Sequence, residues 1–151
     1  MLEQKIKELE SFLPKIKVCN ESVSIANIGW HIEHTTKSMY GISKALLASD
    51  PKKYKWTFNF YRYFFTYLNY IPRGRKAPKS VKVESSGDVK IIKKNIEKVR
   101  IIAQKLDALP KNSYFYHPYF GDMNKDIAIR FINVHAHHHL KIMKDILNAS
   151  N

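Results

Sequence analysis

Apolar residues recur at spacings of three and four along most of this 151-residue chain, and this period constrains the fold more than any other feature. Such spacing places apolar side chains on one face of an α-helix, whereas a half-buried strand shows strict alternation. Prolines and capping residues divide the pattern into five segments. We predict helices over residues 2–13, 22–49, 58–70, 88–109 and 124–148.

The boundaries of the predicted helices follow from their capping residues. Ser22 or Ser24 can cap the second helix and Asp88 the fourth, because each side-chain oxygen can accept a bond from a free backbone N–H. The third segment is dense in aromatic residues, and its length without strict alternation favours a buried helix over a strand. Loops are expected at residues 71–87 and 110–123. The predicted fold class is therefore all-α, a helix bundle.

Size and composition fit a single domain over residues 1–151. No apolar run approaches the roughly 20 residues that a transmembrane helix needs. The first segment is amphipathic and lacks the apolar stretch of a signal peptide. The single cysteine, Cys19, cannot form an internal disulfide, which favours a reducing compartment. We therefore expect a cytoplasmic protein without membrane contact.

The chain carries a net charge of +13, which favours anionic partners through long-range attraction. Residues 52–82 contain no acidic residue and interleave aromatic residues with basic ones, a composition that can bind single-stranded nucleic acid. The basic residues of this stretch are Lys52, Lys53, Lys55, Arg62, Arg73, Arg75, Lys76, Lys79 and Lys82. No recognised nucleic-acid motif accompanies them, so a basic nucleic-acid-binding module is an alternative function.

Six of the seven histidines fall in two clusters within predicted helices. His135 and His139 are four residues apart, so a helix places both rings on one face, where they can share a metal ion. With about 100° per residue, both lie in the middle of the apolar face of the last helix, whereas His137 lies among the lysines. Two buried imidazoles without partners would cost desolvation free energy. This position favours a metal site over a surface histidine tract.

A mononuclear site needs a third protein ligand and keeps one position open. Either His31 or His34 of the second cluster can supply it: His31 lies nearer the apolar stripe, and His34 shares a face with small side chains. The helical wheel does not decide between them. Ligand histidines usually donate their other N–H to an acceptor, and Glu33, Asn27 and Tyr116 are the expected acceptors.

The strings GWHIEHT near residue 30, HPYFGDM near residue 117 and HAHHHLKIM near residue 135 together resemble the DinB-like (YfiT-like) four-helix-bundle superfamily, in a branch without an assigned reaction. The resemblance covers residues 22–148. It implies an up-down-down-up four-helix bundle with one additional short helix. It also implies one divalent ion held by His34, His135 and His139, with His31 as the alternative to His34.

Three neutral imidazoles with an open position suit zinc or nickel. The resemblance implies a metal-dependent transferase or hydrolase that acts on a small molecule, with thiol-linked chemistry as one form of it. No catalytic residue is assigned. The remaining alternative is a structural or homodimerising bundle with a non-catalytic metal site.

Overall fold

The computed structural model describes residues 2–73 and 88–150, and these form a mostly helical protein with a small sheet. Two strands and two short 3₁₀ helices, Leu13–Lys15 and Pro51–Lys53, accompany the α-helices. The α-helices of the described residues are α1 (Leu2–Ser11), α2 (Ile28–Ala48), α3 (Phe60–Tyr67), α4 (Val89–Ala103) and α5 (Lys125–Ala149). The strands are β1 (Tyr114–His117) and β2 (Gly121–Asn124).

Four of the helices share one apolar core, because α1 and α2 each pack against both α4 and α5. The predicted apolar stripes supply this core, and each fully buried aliphatic side chain contributes roughly 1.5–3 kcal/mol to stability. Its members include Ile6, Leu9, Ile28, Ile32, Met39, Leu46, Ile92, Ile96, Ala128, Ile132 and Met143. Helix α3 lies outside this group and packs against α5. The two helices that carry the histidine clusters, α2 and α5, are therefore direct neighbours.

The prediction that the chain is all-α is wrong for residues 110–123, where the expected loop contains an antiparallel hairpin. Phe115 pairs with Met123, and both pack on the core, while the intervening Tyr116 is exposed. Gly121 has a φ of +67°, a left-handed conformation that glycine adopts without steric cost at the turn. Most side chains of the two strands are partly buried, and strands of four residues are too short for the periodicity to reveal.

Helix α2 begins later than predicted, because its cap is Asn27 rather than Ser22 or Ser24. The Asn27 side chain accepts a hydrogen bond from the backbone N–H of Trp30 at 2.8 Å. Ser24 instead accepts one from the backbone N–H of Ala26, within a turn that precedes the helix. The predicted cap of α4 is confirmed, since the Asp88 side chain accepts a bond from the backbone of this helix.

Helix α3 is not the buried helix that its length and lack of strict alternation predict. Arg62, Phe65 and Thr66 form its inner face, and the outward aromatic side chains are between 43% and 70% exposed. These exposed residues are Phe60, Tyr61, Phe64 and Tyr67. The hydrogen bonds of the buried Arg62 explain why so many aromatic side chains of α3 are exposed. They determine which face of the helix turns inward.

The guanidinium of Arg62 holds α3 to the hairpin. It donates to the backbone carbonyls of Phe120 at 3.1 Å and Asp122 at 2.7 Å, and also to that of Thr57. We expect Arg62→Met to lower the free energy of unfolding by about 2–4 kcal/mol, because buried carbonyls lose charged donors. Urea denaturation measures the change. Arg130→Met is the matched control, since Arg130 is exposed, and an equal loss in both variants would contradict the prediction.

The predicted loop at residues 71–87 is described only as far as Arg73, and the rest of it lies outside the described residues. Arg73 itself forms an ion pair with Asp145 of α5. Across residues 2–73 and 88–150, none of the helices has both the length and the apolar character needed to cross a bilayer.

Candidate metal centre

Three imidazoles from two neighbouring helices converge at one point. His34 comes from α2, and His135 and His139 come from α5. The ligand nitrogens of the three residues all lie within 4.8 Å of one another, so that together they can hold a metal ion. No other His, Cys, Asp or Glu of the described ranges belongs to this group.

The ring contacts define which nitrogens face the centre. The Nε2 atom of His135 lies 3.3 Å from Nε2 of His34 and 3.2 Å from Nε2 of His139. Zinc binds imidazole nitrogen at about 2.0–2.1 Å in tetrahedral geometry, which requires neighbouring ligand nitrogens to lie about 3.3 Å apart. Two of the three distances between ligand nitrogens therefore already match those expected around a shared ion.

Hydrogen bonds among the three imidazoles cannot satisfy all three of these nitrogens. A neutral imidazole nitrogen carries either one N–H or one lone pair, so Nε2 of His135 can form a good hydrogen bond with only one of its two neighbours. A metal ion would use the lone pairs of all three nitrogens at once. The donor set and its spacing thus fit a divalent cation better than they fit a hydrogen-bonded histidine cluster.

Burial differs among the three residues. His34 and His139 are only 3% and 7% exposed, whereas His135 is partly exposed and lies nearest the surface. The burial of His139 agrees with its predicted place on the inner face of α5, whereas His135, predicted on the same face, is only partly buried. Their rings nevertheless lie in short contact, as residues four apart on a helix can.

Burial keeps the imidazoles neutral. Desolvation lowers the pKa of His135 to about 3, with smaller contributions from His34, His138 and His117. The pKa of His139 also lies well below its usual value, first through desolvation and then through the neighbouring His135. Metals bind the neutral form of histidine, so these two residues offer free lone pairs near neutral pH.

His31, the alternative third ligand, lies on the far side of His139. Its Nδ1 atom is 3.0 Å from Nδ1 of His139, the nitrogen that faces away from His135. Its other nitrogen, Nε2, is 3.1 Å from the hydroxyl of Ser24. The structure therefore brings His34, and not His31, together with the two histidines of α5.

Aromatic rings cover two sides of the centre. Trp30 stacks on His34 with the ring centroids 4.8 Å apart and the planes 5° from parallel. Phe131 stacks on His135 at 6.1 Å. The sequence does not indicate this role for either residue, because contacts one turn away on a helix carry no distinctive motif. Both rings restrict the rotation of the histidines that they contact.

Two of the three expected acceptors lie elsewhere. The side chain of Asn27 is used to cap α2, and Tyr116 is 64% exposed on the hairpin. Glu33 is buried within α2. His117 orders the turn of the hairpin, because its Nδ1 atom accepts a hydrogen bond from the backbone N–H of Tyr119 at 3.1 Å.

The basic and aromatic stretch at residues 52–82 is only partly described. Lys52, Lys53 and Lys55 are exposed. Arg62 and Arg73 are engaged by the protein itself, through backbone carbonyls and through Asp145. The other basic residues of the stretch, Arg75, Lys76, Lys79 and Lys82, lie outside the described residues.

Together, the fold and the centre define a mostly helical protein with a three-histidine group able to hold a metal ion. The model of one family, described as "Protein of unknown function (DUF1569)", matches residues 60–145, and the chain belongs to this family. The match includes His135 and His139 but not His34. No curated protein and no solved structure matches the chain.

Proposed function

We propose that this protein binds one divalent metal ion through Nε2 of His34, His135 and His139. The observation that carries the proposal is the spacing of these atoms, with two Nε2–Nε2 distances of 3.2 and 3.3 Å in a largely buried group. Three neutral imidazoles favour borderline first-row ions, and zinc or nickel is the metal that we propose.

The number of ligands supports a reactive site rather than a purely structural one. Structural zinc sites are closed by four protein ligands, whereas catalytic sites use three and leave a position for water or substrate. We propose that an ion there is reached on the side of His135, the only one of the three residues that is partly exposed. An ion held there would supply Lewis acidity toward an oxygen or sulfur atom of a small-molecule substrate.

We further propose that the chemistry is that of a metal-dependent transferase or hydrolase, with a thiol among the substrate groups on which it acts. Its support is the resemblance of the histidine-bearing strings to the DinB-like superfamily, which also motivates an up-down-down-up arrangement for the four packed helices. The residues of this chain would hold the ion and exclude bulk water on the side of His34 and Trp30. A small-molecule substrate would approach the ion on the side of His135.

Metal titration of the untagged protein tests the proposal. We expect the wild-type protein to bind about one equivalent of zinc, the stoichiometry of a single site. Each of the variants His34→Ala, His135→Ala and His139→Ala is expected to weaken binding at least about a hundredfold, because each removes one of three ligands. Isothermal titration calorimetry with a competing chelator measures the dissociation constants.

His137→Ala is the matched control, since it removes a histidine of the same tract that points away from the centre. It is expected to keep the wild-type dissociation constant within about twofold, as a residue that is not a ligand should. Equal losses in the His137 and His139 variants would indicate adventitious binding by the HAHHH tract and would overturn the proposal.

A further inference from the structure

His31 is buried beside the metal centre without belonging to the ligand group. It is 3% exposed, and both of its ring nitrogens lie within hydrogen-bond distance of a partner. Nδ1 faces Nδ1 of His139 at 3.0 Å, and Nε2 faces the Ser24 hydroxyl at 3.1 Å. His31 therefore links one histidine of the centre to the turn that precedes α2.

The two ring nitrogens of His139, Nε2 and Nδ1, have different roles in this proposal. Its Nε2 atom points toward His135, at 3.2 Å, and is the atom that would bind the ion. If Nε2 donates its lone pair to a metal, a neutral ring must carry its proton on Nδ1. That N–H then points at Nδ1 of His31, which must accept the bond through its own lone pair.

The protonation of His31 follows in turn. With a lone pair on Nδ1, the neutral His31 ring carries its proton on Nε2 and donates it to the oxygen of Ser24. The same oxygen accepts the backbone N–H of Ala26 at 3.1 Å, so Ser24 is held in place by the main chain. One consistent set of donors and acceptors thus runs from His139 through His31 to Ser24.

We propose that His31 is a positioning residue that fixes the tautomer and ring orientation of His139 for metal binding, with Ser24 holding His31. The proposal rests on the proposed function, since it assigns His139 as a ligand. Hydrogen bonds to the outer nitrogen of a ligand histidine typically change metal affinity by about tenfold to a hundredfold. A second imidazole as the acceptor adds no negative charge to the site, whereas a carboxylate in the same place would.

The test compares two replacements of His31 that differ in their ability to accept a hydrogen bond. His31→Phe keeps an aromatic ring of similar size but has no acceptor, and we expect its zinc affinity to fall about tenfold to a hundredfold. His31→Gln has a side-chain oxygen that can accept the His139 N–H, and we expect a loss of at most about threefold. His137→Phe is the control for introducing a phenylalanine beside the tract.

A spectroscopic measurement separates positioning from packing. In the zinc-loaded wild type, long-range ¹H–¹⁵N spectra of the imidazoles are expected to show His139 protonated at Nδ1 and His31 protonated at Nε2. Ser24→Ala is expected to weaken zinc binding by about threefold to tenfold, because it removes the acceptor that fixes His31. It also provides the test if His31→Phe does not fold.

The outcomes distinguish this proposal from the metal site itself. If wild-type protein binds zinc through His34, His135 and His139 but His31→Phe and Ser24→Ala bind equally tightly, His31 has no positioning role. If His31→Phe and His31→Gln lose affinity equally, the effect is one of packing and the proposal is wrong. Should the wild type bind no zinc, the proposed function fails and this proposal fails with it.

Discussion

Zinc at a hundred times its dissociation constant will raise the free energy of unfolding by about 2.7 kcal/mol, provided that the unfolded chain does not bind it. The reason is geometric. His34 is separated from the other two ligands by about a hundred residues of chain, and only the packing of α2 against α5 brings them together. For a domain of this length, the stabilisation corresponds to a rise in Tm of roughly 5–10 °C.

Thermal unfolding of metal-free and zinc-loaded protein measures this rise, and His139→Ala serves as the decisive comparison. The variant is expected to unfold at the same temperature with and without zinc, whereas His137→Ala should respond as the wild type does. A similar zinc-induced shift in the His139 variant would mean that the ion binds elsewhere. Destabilisation by zinc would mean that it prefers the histidine tract of the unfolded chain.

The pairing of His135 with His139 could be predicted from the sequence because it is a local property of one helix. Residues four apart share a helix face whatever the rest of the chain does, and the flanking apolar residues indicate which face points inward. The same logic predicts most of the buried stripes of α2 and α4, but it wrongly assigns Ile25 and Ile91, which are 92% and 45% exposed, to them. Local periodicity is therefore sufficient for the parts of the site that lie on a single helix.

The relation between the two histidine clusters could not be predicted in this way. Whether His31 or His34 faces α5 depends on the rotation and axial offset of α2 against α5, which are properties of the packed structure. His31 and His34 are three residues apart, so both project toward the same neighbouring helix. In the structure, His34 lies beside Nε2 of His135, whereas His31 lies beside Nδ1 of His139.

Helix α3 and the hairpin show where the periodicity misleads. Aromatic side chains are expected inside a protein, yet four of those of α3 are exposed, and the inner face of the helix holds Arg62 beside Phe65. The partners of Arg62 are backbone carbonyls of the hairpin, which have no sequence signature. In the hairpin itself, four residues per strand are too few for alternation to stand out from a loop.

Acidification will destabilise the metal-free protein between pH 6.5 and pH 4. Burial lowers the pKa of His31 and His117 to about 4 and that of His135 to about 3. The unfolded chain, with histidines near 6.5, therefore binds more protons than the folded protein within this window. Stability consequently rises with pH there, and the contribution is complete above pH 6.5 and is lost as the pH falls.

The expected loss is large because several histidines act together. From pH 7 to pH 5.5, each of these groups lowers the free energy of unfolding by roughly 1 kcal/mol, so three of them remove roughly 3 kcal/mol from a typical total of 5–15 kcal/mol. The net charge of +13 increases further as histidines are protonated, and self-repulsion acts in the same direction. Urea denaturation of metal-free protein at pH 7.0, 6.0 and 5.0 measures the slope.

His117→Gln provides a control on the origin of that slope. Glutamine offers an oxygen in place of Nδ1 as an acceptor for the backbone of Tyr119, but it does not titrate. The variant should therefore lose less stability on acidification than the wild type, by roughly 1 kcal/mol at pH 5.5. A free energy of unfolding that stays constant from pH 7 to pH 5 would contradict the prediction, because it would mean that the buried imidazoles titrate as they do in the unfolded chain.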